Sequence, residues 1–206
     1  MSWEIWITFV AASVALLLIP GPTVLLVLSY ALSKGRSVAL ASAAGVALGD
    51  LIAMTASLLG LGALVLTSAT AFVVLKWVGA VYLTWLGIKL IRSAPSQGIT
   101  PQRQITVHSV FYHATAVTAL NPKSIAFFIA FVPQFIRTDA PLPPQFAILI
   151  ATFVTLAALN ALIYAVLADR LRLFIARPSI LTWITRLGGA TLIGMGVLTA
   201  TLRRTS

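Results

Sequence analysis

The sequence predicts an all-α integral membrane protein with six transmembrane helices arranged as two inverted three-helix repeats. Three observations carry that fold class. The chain of 206 residues is 60% hydrophobic and only 9% charged, far below the roughly one quarter of charged residues with which a soluble domain meets water. Six long apolar stretches follow one another along it, each near or above the roughly 20 residues that cross a bilayer as a helix. The first and fourth are broken near mid-length by proline, at Pro20-Gly21-Pro22 and Asn121-Pro122.

The apolar stretches cover residues 5–32, 38–66, 72–91, 109–136, 146–168 and 180–202. They are long and continuous, whereas strands of a membrane barrel are short and alternate in polarity. The residues before the first stretch, Met1-Ser2-Trp3-Glu4, carry no positive charge, and no small-residue cleavage pattern follows. That stretch therefore reads as a helix and not as a signal peptide. The longest polar connector, 93–104, contains Pro95, Gly98 and Pro101. It divides a first repeat, 1–92, from a second, 108–206, with a linker at 93–107, all in one transmembrane domain.

Composition excludes several classes. A soluble enzyme, a disordered chain and a disulfide-built module all conflict with it. The absence of cysteine removes thiolate metal sites and thiol redox chemistry. The net charge of +10 reads as membrane topology, with no nucleic-acid partner, because lysine and arginine collect in cytoplasmic loops near anionic headgroups. Lys34 and Arg36 follow the first stretch, Lys89, Arg92 and Arg103 flank the third, and Arg170, Arg172 and Arg177 follow the fifth. The opposite side is poorer, with Lys76, Arg137 and the terminal Arg203-Arg204. The expected topology has both termini outside the cytoplasm. If the first or last stretch lies flat, five spans with termini on opposite sides remain open.

Three spans per half make the second half enter the membrane upside down. Besides the paired breaks, Lys76-Trp77-Val78-Gly79-Ala80 in the third stretch matches Arg186-Leu187-Gly188-Gly189-Ala190 in the sixth. Inverted repeats with broken helices in matching places point to a secondary transporter whose site lies at the repeat interface. Asn121 reads as an N-cap with Pro122 at the first helical position, and Gly21-Pro22 as a weaker version. Two half-helix starts then approach the midplane from opposite directions. Their free N–H groups and positive dipole ends suit an anionic group such as a carboxylate.

Asp50 is the one acid deep inside an apolar stretch. A charge there costs about 2.5–3.5 kcal/mol on insertion scales, so it must face the interior and be paired, hydrated or protonated. It is a natural proton carrier. Lys123 lies just inside the half-helix begun by Pro122, with no acid on its own stretch. A zwitterionic amino acid could set its carboxylate toward Lys123 and its amine toward Asp50. A permanent Asp50–Lys123 bridge, or a snorkelling lysine, is equally open. Asn160 and Tyr164, four apart, share a helix face. Tyr82 and Gln134 are softer candidates, and Lys76 snorkels. His108 and His113 have no companions at metal-ligand spacing. The small-residue stripes Ala41, Gly45, Gly49 and Ala190, Gly194 fit tight helix packing or the contact of a homodimer. Trp3, Trp6, Trp77 and Trp183 fall near segment ends, where indoles anchor at the interface. No His–acid pair, activated nucleophile or phosphate loop is present, so an enzyme is not expected.

In order along the chain, Pro20-Gly21-Pro22, Gly45, Gly49-Asp50, Gly79-Ala80-x-Tyr82-Leu83-x-x-x-Gly87 and Asn121-Pro122-Lys123 resemble the lysine-exporter/homoserine-threonine-resistance (LysE/RhtB) family of bacterial amino-acid exporters. The resemblance spans nearly the whole chain and thins in the last two stretches. It implies a multi-pass protein of the bacterial inner (plasma) membrane that exports amino acids or similar metabolites, driven by the proton gradient with no cofactor. It implies that Asp50 is a coupling or binding carboxylate and that both breaks line the pathway. A single deep acid beside a single deep lysine favours a neutral zwitterion over a dication. The alternative is a cation or metal-ion exporter on the same scaffold.

Overall fold

A computed structural model describes residues 1–19, 21–34, 36–67, 69–92, 106–137, 139–167 and 178–201. Among them every regular element is a helix and none is a strand. The expectations for Pro20, for the connector at 93–104 and for Arg170, Arg172, Arg177, Arg203 and Arg204 lie outside the described residues.

The first apolar stretch forms two helices, α1 (Trp3–Leu18) and α2 (Pro22–Lys34). The Ser2 hydroxyl caps α1 by accepting from the Ile5 N–H at 3.4 Å, and Glu4 sits in the first turn, where the helix dipole favours an anion. The Gly21 carbonyl accepts the first α2 bond, from the Leu25 N–H at 3.0 Å. The axes of Trp3–Leu18 and Pro22–Ala31 differ by 61°. Next come α3 (Arg36–Thr67) and α4 (Ala69–Arg92).

The fourth stretch opens as α5 (Val107–Ala119), breaks at Leu120-Asn121 and resumes as α6 (Pro122–Ala126). It then widens into a π turn, Phe127–Phe131, and tightens into a 3-10 turn, Val132–Phe135. The chain ends with α7 (Leu142–Val166) and α8 (Pro178–Thr201). The helices begin a little outside the apolar stretches because polar caps and N-terminal prolines, such as Pro143 and Pro178, start them.

Among the described residues, three helical runs are long and apolar enough to cross a membrane: Ser37–Gly60, Val107–Phe135 and Leu142–Val166. The bent α1–α2 pair makes a fourth. The outer surface is apolar, with Leu18, Leu59, Val81, Ile163 and Leu187 among the side chains more than half exposed. That surface suits lipid and not water.

Glycine sets the closest helix approaches. A Cβ at Gly45 would sit 2.5 Å from the Phe111 carbonyl oxygen, and one at Gly49 would sit 2.7 Å from that of Thr115. Only hydrogen fits between α3 and α5 there. The α4–α8 pair closes in the same way: a Cβ at Gly87 or at Gly189 would sit 2.5 Å from the other's carbonyl oxygen. The small-residue stripe anticipated on α8 is therefore placed differently. Gly189 and Gly196 make its contacts, while Gly194 faces open space and Ala190 is exposed.

One end of the core is aromatic. Phe9 of α1, Phe127 and Phe131 of the π turn, Phe135 of the 3-10 turn and Phe153 of α7 pack with ring centroids 4.8–6.5 Å from one another or from Phe128. This plug fixes α1 and α7 against the second half of the fourth stretch.

Candidate functional site

The site forms where α1 stops. A helix end leaves its last carbonyls without partners, and the hydrocarbon region offers no water to satisfy them. Here other elements supply the donors. The Lys123 ammonium of α6 donates to the Leu16 carbonyl at 3.0 Å and to that of Ile19 at 2.8 Å. On α7, the Asn160 amide donates to the Leu17 carbonyl and the Tyr164 hydroxyl to the Leu18 carbonyl, both at 3.3 Å. Four consecutive carbonyls are thus closed by three side chains, and the positive charge lies at the negative end of the α1 dipole.

The second break is capped as expected. The Asn121 carboxamide oxygen accepts from the Lys123 N–H at 3.1 Å, with Pro122 at the first helical position. Its amide nitrogen donates to the Thr23 hydroxyl at 3.2 Å, and the Thr118 hydroxyl reaches the same oxygen at 3.4 Å. Thr23 belongs to the first turn of α2, so these bonds tie the two breaks together.

Asp50 faces this junction from α3. It is 2% exposed, and its Oδ1 has no hydrogen-bond partner. A direct Asp50–Lys123 bridge is not formed. The ammonium turns to the α1 carbonyls, and the ion pair found among the described residues is Arg137–Asp139, in the exposed loop after the 3-10 turn. Between Asp50 and Lys123 lies a cavity with about 30 Å³ open to the centre of a water molecule. By that measure one water needs about 10–15 Å³. The cavity has room for a few water molecules. Thr23, Asn121, Ser124, Asn160 and Tyr164 complete its polar lining, and Val27, Val46 and Ala157 contribute to its apolar wall.

A family model for LysE type translocators matches residues 14–203. The chain belongs to that family. An uncharacterized membrane protein of Vibrio cholerae serotype O1 is 35% identical to this translocator over 204 residues, covering 98% of the chain and 100% of the relative. A homoserine/homoserine lactone efflux protein of Salmonella typhimurium is 33% identical over 204 residues, covering 98% and 99%. A leucine efflux protein of Klebsiella pneumoniae is 30% identical over 140 residues, covering 67% and 66%. No solved structure matches. With its apolar helices and bacterial membrane relatives, the translocator is a multi-pass protein of the bacterial inner membrane.

Of the residues singled out in the sequence, the translocator gathers Asp50, Asn121, Lys123, Asn160 and Tyr164 around one cavity. Gly21 stands beside it, since a Cβ there would lie 3.5 Å from the Lys123 ammonium. Pro22 and Pro122 start the two half-helices. Tyr82 is not brought in. It packs against the hydrophobic core and lies against Trp85, ring centroids 5.5 Å apart. Gln134 is not among the cavity's lining residues and donates to Thr199 at 2.7 Å. His113 is engaged by the Tyr30 hydroxyl at 2.5 Å. Among the described residues no cluster of His, Asp or Glu could hold a metal. Thr23 and Ser124 were passed over in the sequence. Their signal is their place in the first turn after Pro22 and Pro122.

Proposed function

We propose that this translocator exports an amino acid or a related small zwitterionic metabolite in exchange for protons, by alternating access between two inverted three-span halves. One observation carries the reading: Asp50 lines a small polar cavity at the junction of the two breaks and has a buried oxygen without a hydrogen-bond partner. A buried carboxylate without a partner is costly. A proton or the ammonium of a cargo molecule relieves that cost, and one oxygen does not hold both. Cargo binding then displaces the proton and proton binding displaces cargo, which makes the exchange obligatory. The cargo carboxylate faces the opposite wall, toward the remaining N–H of Lys123, an ammonium with three donors of which two are engaged. The efflux of homoserine and leucine named for the relatives supports this cargo class.

The packing supports two related halves. Exchanging them turns α1 and α2 into α5 and α6, α3 into α7, and α4 into α8. α3 lies on α5 and α6 as α7 lies on α1 and α2. The α3–α7 and α4–α8 pairs map onto themselves. α4 and α8 have 24 residues each, about 36 Å of helix, enough for the fifth and sixth spans.

The test is reconstitution into proteoliposomes carrying a pH-sensitive dye. Homoserine, leucine and other common amino acids are added in turn under an imposed pH gradient, with divalent cations as a separate arm. The expected result is that at least one neutral amino acid dissipates the gradient and moves against it. Dissipation by a divalent cation alone, or by no amino acid, overturns the reading.

A further inference from the structure

Lys123 stands in the first turn of α6, the positive end of a helix, where a cation is disfavoured. Its own helix gives it no reason to be there, and no carboxylate pairs with it among the described residues. Its ammonium instead crosses to another span and lies 3.0 and 2.8 Å from the Leu16 and Ile19 carbonyls. The two carbonyls between them are served by neutral donors, Asn160 and Tyr164. A ring of backbone carbonyls at the negative end of a broken helix is a cation site, and here the chain fills it with a side chain.

We propose that Lys123 is a tethered counter-cation. Its ammonium closes the α1 end inside the span and holds that end in register with α7, and the space its side chain fills is a binding site for a primary ammonium. Lys123 is in this sense a positioning residue, whichever cargo is carried. Cutting the side chain back to alanine leaves the Ile19 carbonyl without that donor and the Leu16 carbonyl with only the Ile19 N–H, both facing a void sized for a small alkylammonium. Tetramethylammonium has the same charge but no N–H to donate, so it is no substitute.

The experiment compares thermal unfolding of purified wild type and K123A in methylammonium chloride and in tetramethylammonium chloride at equal ionic strength. K123A is expected to melt several degrees below wild type. Methylammonium raises the Tm of K123A and leaves wild type unmoved, and tetramethylammonium raises neither. A methylammonium shift equal in both proteins, or absent from both, overturns the proposal. If K123A does not accumulate, K123R and K123Q decide. K123R keeps the charge and melts above K123Q; K123Q equal to or above K123R overturns the proposal. Because melting is the readout, failure of the amino-acid assignment leaves this test standing, and the reverse also holds.

Discussion

The two proline breaks share a short vocabulary and close in different ways. In the first, the chain turns by 61° between α1 and α2, the Ile19 N–H bonds back to the Leu16 carbonyl, and each carbonyl of Leu16–Ile19 also takes a donor from a side chain of another span. In the second, the Leu120 and Asn121 N–H groups bond back to Ala116 and Thr118, Asn121 caps α6 itself, and residues Val107–Phe135 continue as one candidate span of 29 residues. Apart from the bonds to Thr23 of α2, the second break is closed by its own neighbours, which makes it the more fixed joint. A break closed by α6 and α7 takes its geometry from them, so the proposed movement between the halves would act on the α1 end. On the alternating-access reading proposed above, the first span carries the mobile joint and the fourth the fixed one.

The largest expected effect comes from prising the fixed joint away from its support. In Gly49→Val even the Cβ would fall 2.7 Å from the Thr115 oxygen and from the Thr118 Cβ. The overpacking is expected to cost about 3 kcal/mol or more, seen as loss of monodisperse protein in detergent; a well-behaved variant with wild-type Tm would contradict the close α3–α5 approach. Next is the mobile joint. Asn160→Ala with Tyr164→Phe frees the Leu17 and Leu18 carbonyls and is expected to cost about 1–3 kcal/mol in total, read as a lower Tm and slower export. Asn121→Ala at the fixed joint removes an N-cap and the Thr23 bond, about 1 kcal/mol, with export per folded molecule falling less than in the Asn160 variant. Equal slowing in both would erase the distinction between the joints.

Gly21→Ala is expected to be nearly silent. Its Cβ meets Lys123 at an ordinary 3.5 Å, so Tm stays within about 0.5 kcal/mol equivalent of wild type. Smallest of all is Asp139→Asn, away from both joints. The hydrogen bond from Arg137 holds the Asp139 carboxyl below the usual carboxylate range. Any contribution is therefore complete above pH about 4 and disappears on further acidification. Because the pair is exposed to solvent, the Tm of Asp139→Asn at pH 7 matches wild type.

Much of this was legible from residue types. The proline breaks, the capping role of Asn121, the isolation of Asp50 and the close packing at Gly45 and Gly49 each have a signature in composition or spacing. The partner of Lys123 had none. Reading charges in a sequence pairs a lysine with an acid, whereas its partners are backbone carbonyls, which every residue carries. The rotation of α8 was equally hidden, because Gly189 with Gly196 and Ala190 with Gly194 both form small-residue faces and only tertiary packing selects one. The π turn at Phe127–Phe131 is a local change of helical register, invisible in an apolar run. Tyr82 looked like a polar group at mid-span, yet its ring is spent on packing.

The most direct measurement compares wild type with Asp50→Asn in matched proteoliposomes, at equal protein and under the same imposed pH gradient, with whichever labelled amino acid wild type carries. The account predicts that wild type accumulates label against its gradient, while Asp50→Asn, still inserted and folded, exchanges label without responding to pH. Equal gradient-driven accumulation by both proteins would contradict it.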